Sequence, residues 1–329
     1  MKRILVTGAT GFLGSRLIEA MADNKCWEII ATGRKLKPFS TVEASNIEYK
    51  LGNLEDDEFV GTLMDKIDAV VHAAALSAQM GKYRDFHRAN VKSTENIIQV
   101  AKSKNIKKLV FISSPSVYFQ MKHQLNIKEE DDLPKPINNY ALTKREAEKL
   151  VQASGIPHII IRPRALIGKG DTVIMPRIMR AHREGRLRRM GDERNVVDMT
   201  PVRNLTDAII LGLNAQGKAV NQIYNISNGE PQPLWPLLDD LLEKMELPPL
   251  KKKVSLPLVL LIARFMEWHA KWFNDHREPA LTAYGVGTLT MSFGLDITKA
   301  KELLGYTPRQ TVEEAIDEFV DWHKTSNRK

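Results

Sequence analysis

Apolar residues along the first half of the chain come in short runs, and between the runs the spacing changes to that of helices. Residues 3–7, Arg-Ile-Leu-Val-Thr, open the series, and β-branched runs recur at 27–32, 47–51, 69–72, 108–113 and 158–162. Short, nearly continuous apolar runs suit strands buried on both faces. Segments 12–22, 59–66, 86–104 and 140–154 have helical composition and spacing. Strands alternating with helices predict an α/β fold built on a doubly wound parallel sheet. After Pro163 the rhythm breaks into basic helical segments, proline-containing turns and a late apolar stretch at 254–273, where a smaller C-terminal lobe is expected. No internal repeat or low-complexity segment interrupts this order.

The junction of the first strand and first helix carries a chemical signal, Gly8-Ala9-Thr10-Gly11-Phe12-Leu13-Gly14. Glycines three residues apart let the backbone turn sharply and approach a ligand with no Cβ in the way. The helix that follows turns its free N–H groups and dipole toward a pyrophosphate. Gly8, Thr10, Gly11, Phe12, Leu13 and Gly14 are therefore predicted to bind a dinucleotide. We assign residues 1–170 to the dinucleotide-binding domain, with 206–226 returning to it, and 171–329 mainly to a substrate lobe. At the end of the second strand the chain reads Gly33-Arg34-Lys35. An acidic residue there would accept from a ribose 2′-hydroxyl, whereas Gly33 leaves room and Arg34 offers donors to a 2′-phosphate. NADP(H) is expected in preference to NAD(H), which stays as the alternative.

Tyr140 and Lys144 stand four apart at the head of a strongly helical segment and share one helix face. An ammonium beside a phenol favours the phenolate, giving a general acid/base pair near neutral pH. Tyr118 and Lys122 have the same spacing but lack a sustained helical context. Ser114 ends the 108–113 strand, where ligands of open α/β sheets bind, and its hydroxyl can donate to a substrate oxygen; Ser113 and Ser116 are near alternatives.

Composition narrows the function classes. The 329 residues are 43% hydrophobic and 27% charged, which is ordinary for globular proteins and excludes disordered or fibrous readings. The net charge of +8 is dispersed and no aromatic stripe interleaves with it, so no nucleic-acid partner is predicted. The basic clusters at 183–194 and 251–253 are read as solvated faces. Cys26 is the single cysteine and Met1 runs straight into the first strand, so a cytoplasmic location is expected. Arg264 and Glu267 interrupt the longest apolar run, so no transmembrane segment is predicted. Three readings of 254–273, with Trp268, Trp272 and Phe273, stay open: a lid over a greasy pocket, a peripheral membrane contact, or core. No metal site is predicted.

Taken together, Thr7 to Gly14, His72-Ala73-Ala74-Ala75, Asn90-Val91, Ser113-Ser114 with Val117-Tyr118, and Tyr140 with Lys144 resemble the extended short-chain dehydrogenase/reductase superfamily. The likeness continues through Arg162-Pro163-Arg164-Ala165-Leu166-Ile167-Gly168, Asn225-Ile226-Ser227-Asn228-Gly229 and Leu304-Gly305-Tyr306-Thr307-Pro308. Gly191-Asp192 and Arg277-Glu278-Pro279-Ala280-Leu281-Thr282, with the Arg162 motif, look most like its 3β-hydroxysteroid dehydrogenase and 2-alkyl-3-ketoacid reductase group.

The resemblance implies a Rossmann-type sheet, Tyr140 as proton donor or acceptor, Lys144 on the nicotinamide ribose and tuning Tyr140, and Ser114 on the reacting oxygen. It also places Gly8, Gly11 and Gly14 under the pyrophosphate, and His72, Ala73, Ala74 and Pro163 along the cofactor groove. Asn53, followed by Leu54, stands near the adenine where the family usually has aspartate, and Arg203 replaces a frequent acid of the substrate lobe. The function implied is an NADP(H)-dependent oxidoreductase interconverting a secondary alcohol and a ketone on a small lipophilic substrate, a β-keto or β-hydroxy acid or a 3-hydroxysteroid, in a homodimer. A nucleotide-sugar epimerase or dehydratase is the alternative enzyme, although Ser114-Pro115-Ser116 lacks the Asp-Glu pair of such dehydratases. A non-catalytic NADP(H) sensor is the third reading, and the retained Tyr/Lys pair argues against it.

Overall fold

A computed structural model describes residues 2–23, 26–36, 41–191 and 193–326. Met1 and Asp192, both used above, lie outside the described residues. Strands β1 (Lys2–Thr7), β2 (Trp27–Gly33), β3 (Ile47–Leu51), β4 (Ala69–His72), β5 (Lys108–Ile112), β6 (His158–Pro163) and β7 (Gln222–Ile226) form one sheet. Their order is β7-β6-β5-β4-β1-β2-β3, and every neighbouring pair is parallel. The order reverses between β1 and β4, which opens a crevice beyond the carboxyl ends of the strands. Thr7 lies opposite both Thr32 and His72, and His72 opposite Phe111. Because these strands run in register, Gly8, Ala73 and Ser113 leave the sheet at one edge.

Alternation along each strand divides the packing between two layers. Ile4 and Val6 of β1 face a cluster with Leu17, Ile18 and Met21 of α1 (Phe12–Ala22). Leu5 points the other way, into a cluster with Val60 of α2 (Asp57–Leu63), Ile97 of α3 (Ser93–Ser103) and Ala147 of α4 (Asn139–Gln152). This two-sided burial is why the strands read as unbroken apolar runs. Where one helix is expected at 86–104, a short turn, Tyr83–Phe86, passes through a π-helical turn, His87–Lys92, into α3.

The second core joins α5 (Ile174–Arg183), α7 (Leu234–Lys244), α8 (Leu256–Phe273), α9 (Ala283–Thr290) and α10 (Val312–Ser326), and α6 (Val202–Asn214) lies between α5 and α7 in chain order. Met175 and Met179 pack there with Trp235, Leu238, Ala263, Ile316 and Phe319, while Leu205 and Ile209 of α6 pack on the sheet side with β1. Gln124–Ile127 pairs with Phe293–Leu295 in a small four-stranded sheet, stitching the first half of the chain to the last. In α8 Val259, Ala263 and Ala270 are buried and Leu256 and Leu260 pack half-buried on the second core, whereas Leu258, Leu261, Phe265, Trp268, Trp272 and Phe273 are exposed, so the core reading of 254–273 holds for one face only. No helix among the described residues is long and apolar enough to cross a membrane.

Candidate active site at the carboxyl edge of the sheet

The turn after β1 has the shape of a phosphate cradle. Gly8 has φ +68°, and a Cβ on it would lie 2.8 Å from the Ala74 amide nitrogen. A Cβ on Gly14 would lie 2.2 Å from the Gly8 carbonyl oxygen, so only glycine lets α1 start this close to β1. Gly11 is the N-cap of α1, with no side-chain cap and no acidic residue in the first turn, so the helix dipole and leading N–H groups suit an anion. These two features fit a dinucleotide pyrophosphate. At the end of β2, a Cβ on Gly33 would meet Thr10 Oγ1 at 2.4 Å, and Arg34 follows fully exposed. Asn53 is exposed and its Oδ1 accepts from the Glu55 amide at 3.2 Å. Leu54, expected beside the adenine, packs its side chain in the core with Val60 and Ile97.

His72, expected along the cofactor groove, ends β4 at this edge. Its ring is 0% exposed, so it supports the groove from beneath and leaves the lining to Ala73 and Ala74, which are partly exposed. Thr94 Oγ1 donates to Asn90 O at 2.6 Å, so it must accept from His72 Nε2–H at 3.1 Å. His72 Nδ1 then accepts from Thr7 Oγ1 at 2.7 Å, and Thr7 Oγ1 accepts from the Ala74 amide at 3.2 Å. One tautomer satisfies the whole chain. Burial, with the Lys144 charge nearby, pushes the His72 pKa down to about 3 and keeps the ring neutral.

Tyr140 sits in the first turn of α4, whose N-cap Asn138 accepts from the Ala141 amide at 2.9 Å. Burial raises its pKa above the ordinary phenol range, while hydrogen bonds with the hydroxyls of Ser114 and Ser77 oppose the rise. Ser114 is placed by the turn Pro115–Tyr118, which it caps, and its Oγ donates to Ser116 Oγ at 2.9 Å. Lys144 Nζ donates to the Ile112 carbonyl at 2.6 Å and lies 4.4 Å from the centre of the Phe111 ring. Burial pulls its pKa down to about 7 and Glu148 partly restores it. Where a lowering of Tyr140 by a Lys144 ammonium was expected, Lys144 is not among the groups that shift Tyr140, and desolvation dominates at each of the two.

Beneath the edge lies a buried polar network. Arg162 donates to Glu148 through Nε at 2.9 Å and Nη2 at 2.6 Å, and Ser113 donates to the same carboxylate. Arg162 also donates to Tyr118 Oη, which donates to Asn225 Oδ1 at 3.0 Å. Tyr118 is 1% exposed and Lys122 fully exposed, so that second Tyr/Lys pair is not assembled. Ser113 is likewise committed to Glu148, which leaves Ser114 as the strand-end hydroxyl beside Tyr140.

Residues given no role in the sequence reading complete the edge. Asn90, in the π-helical turn, accepts from the Leu76 amide at 2.7 Å and donates to the Leu76 carbonyl at 3.2 Å and Thr143 Oγ1 at 3.1 Å. It fixes the loop that carries Ser77. Arg164, just past partly exposed Pro163, stacks 4.8 Å from the Phe293 ring centre, makes no ion pair among the described residues, and has a buried Nε without a partner. Burial opposes its charge, which Tyr284 and Asp198 support; Tyr284 in turn feels Arg164 and Tyr140. Ser77, two residues past the His72–Ala75 run, had no sequence signal of its own; that of Arg164 was its place in the Arg-Pro-Arg motif. Arg203, by contrast, pairs with Glu318 at 3.5 Å in a surface hollow of about 690 Å³ that shares no residue with this edge. Among the described residues no acidic, histidine and cysteine cluster could hold a metal ion.

Known proteins similar to this chain include reductases and dehydrogenases by name. The chain is 31% identical over 327 residues to a 2-alkyl-3-oxoalkanoate reductase of Stenotrophomonas maltophilia, covering 95% of this chain and 97% of that one. It is 27% identical over 349 residues to a decarboxylating sterol-4-alpha-carboxylate 3-dehydrogenase of Candida albicans, covering 98% and 97%. An epimerase structure from Methanothermobacter thermautotrophicus superposes with a TM-score of 0.82 at 19% identity, over 99% of this chain and 93% of that one, a likeness of fold alone. Residues 4–227, from β1 through the cradle, the Tyr140 helix and the end of β7, match one family model, and the chain belongs to the NAD dependent epimerase/dehydratase family.

Proposed function

We propose that this chain is an NADPH-dependent reductase that converts a lipophilic 3-oxo acid to the 3-hydroxy acid. The observation that carries the reading is the Tyr140 hydroxyl held by Ser114 and Ser77, with Tyr284 standing within charge range of both Tyr140 and an arginine, Arg164, that lacks an ion-pair partner among the described residues. The names of both relatives describe chemistry at a carbon once removed from a carboxylate: an oxo group at C3 of an alkanoate, and a sterol C3 beside a 4-carboxylate. A half-buried guanidinium with a buried, unpartnered Nε and no ion pair among the described residues is a suitable receiver for that carboxylate.

In this reading, residues 1–170 with 206–226 hold the dinucleotide, residues 171–329 cover the substrate, and Arg34 takes the 2′-phosphate. The glycine turn at 8–14 holds the pyrophosphate, with Ala73, Ala74 and Pro163 beside it. The bound dinucleotide supplies the hydride. Tyr140 gives its proton to the carbonyl oxygen as charge develops there, and Ser114 holds that oxygen by a hydrogen bond. Lys144, with a pKa near the working pH, steadies the protonation of the edge.

The test follows NADPH absorbance with a 2-alkyl-3-oxo acid and with the matching ketone that lacks the carboxylate. The acid should be reduced far faster. Arg164→Met should raise KM for the acid roughly tenfold to a hundredfold and leave the ketone unchanged, as expected for a charge-assisted bond of about 1.5–3 kcal/mol. Tyr140→Phe should lower kcat about 10²- to 10⁴-fold with NADPH binding intact. Conversion of a nucleotide sugar without net cofactor change would replace this reading with an epimerase, and NADPH binding without turnover of any carbonyl compound would favour the sensor.

A further inference from the structure

We infer that the outer face of α8 docks on an anionic lipid bilayer surface. The helix is built the wrong way round for a water-exposed element. Its buried side carries small residues, Val259, Ala263 and Ala270, whereas Leu261, Phe265, Trp272 and Phe273 are 62 to 69% exposed, with Leu258 and Trp268 at 51%. At about 100° per residue, the large apolar side chains fall within an arc of roughly 140° on the side away from the core. Phe265 and Trp268 stack at 5.9 Å and Trp268 meets Phe273 edge-on at 5.7 Å, so the outward rings form one continuous patch. Such a contiguous apolar face marks an interaction surface.

Charge decides between a bilayer and a second copy of the chain. Residues 251–277 contain six basic side chains, Lys251, Lys252, Lys253, Arg264, Lys271 and Arg277, against two acidic ones. Both acids are engaged within the protein: Glu267 accepts from the Ala283 amide at 2.8 Å, and Asp275 pairs with Lys82. Lys251, Lys252, Arg264 and Lys271 make no ion pair among the described residues. A two-fold dimer through this face would set the same positive fringe against itself, whereas anionic headgroups complement it and tryptophan and phenylalanine suit the headgroup boundary. The Glu267 to Ala283 bond also ties α8 to Tyr284, which packs edge-on against Phe119 at 5.0 Å and feels Tyr140. Docking would thus bring the bilayer next to the substrate side of the edge; that consequence rests on the reductase reading, while the docking does not.

The test uses the full chain, without substrate, and phosphatidylcholine vesicles with or without phosphatidylglycerol, followed by co-sedimentation and tryptophan emission. The wild type should sediment with the anionic vesicles, with emission shifted to the blue and binding weakened by salt. A Leu261→Ser, Phe265→Ser, Trp272→Ser variant should lose binding by at least about a hundredfold and keep the wild-type unfolding midpoint and NADPH affinity. Changing Lys251, Lys252 and Lys253 to Gln should weaken binding roughly a hundredfold on anionic vesicles only. A wild type that stays in the supernatant, or an apolar-face variant that sediments like it, overturns the proposal. A wild-type dimer that ignores vesicles and is split by the same substitutions assigns the face to a second copy. Because no substrate is present, failure of the reductase assay leaves this result untouched.

Discussion

Glu148→Gln removes one negative charge from beneath the active edge and leaves the volume of the side chain almost unchanged. Glu148 and Arg162 are 3% and 2% exposed at their side chains, and their two hydrogen bonds measure 2.9 and 2.6 Å. Loss of one partner from such a buried pair costs about 3–5 kcal/mol, because the other charge is left without compensation. Gln keeps one acceptor oxygen for Arg162 or Ser113 but turns an N–H₂ group toward a donor, so a loss near 3 kcal/mol is expected. Urea unfolding measures it, read as a lower midpoint at constant slope. Combined Glu148→Leu and Arg162→Met should cost less than the sum of the single changes by about 2 kcal/mol in a double-mutant cycle. Lys144 provides a second readout. Its folded pKa of about 7 lies below the ordinary 10.5, so the unfolded chain binds more protons between these values and stability is lost as pH falls through that window. Without the Glu148 charge the window should extend to lower pH. A Glu148→Gln protein within about 1 kcal/mol of wild type, with the same pH slope, would refute this account of the network.

The fully buried His72, with its pKa near 3 against an ordinary 6.5, should contribute stability above pH 6.5 that is lost as pH falls toward 3, at most about 5 kcal/mol; a ring that titrates near 6.5 by NMR, or that shows Nδ1–H below neutrality, contradicts the derived tautomer. Gly14→Ala would place a methyl 2.2 Å from a backbone oxygen, so a stability loss of about 1–3 kcal/mol or more is expected. Fluorescence titration should show NADPH binding weakened roughly tenfold, and equal affinity would remove the close-approach argument. Arg34→Asp should shift the NADPH to NADH preference by roughly tenfold to a hundredfold toward NADH; an unchanged ratio sinks the 2′-phosphate assignment.

Sequence alone carried the sheet because each strand is buried on both faces, and the cradle because Gly14 answers to the Gly8 backbone six residues earlier, whereas the close approach of Gly8 to Ala74 comes from the neighbouring strand. Tyr140, Lys144 and Ser114 were legible from one helix repeat and one strand end. What escaped was set by distant packing. His72 looked like a groove residue until its register opposite Thr7 and Phe111 placed the ring between layers. Glu148 and Arg162 are 14 residues apart and meet only when α4 folds over β6. The shift of Tyr140 depends on burial, which no four-residue spacing encodes. Residues 254–273 were ambiguous for a physical reason: apolar content is the same whether a helix faces a core or faces outward, and only the small residues Val259, Ala263 and Ala270 mark the side that packs.

The π-helical turn at His87–Lys92 has a meaning in terms of chain length. A π turn holds one more residue than the α turn it replaces, and its hydrogen bonding is poorer. Dropping that residue would regularise the helix leading into α3 and rotate whatever precedes the deletion by about 100° around the axis. Asn90 would then no longer face Leu76, and the Ser77 loop would lose both of its ties to the Asn90 amide, as α4 would lose the one at Thr143. The surplus residue works like a shim: a slightly worse helix is kept so that one amide stays aimed at a loop on another element.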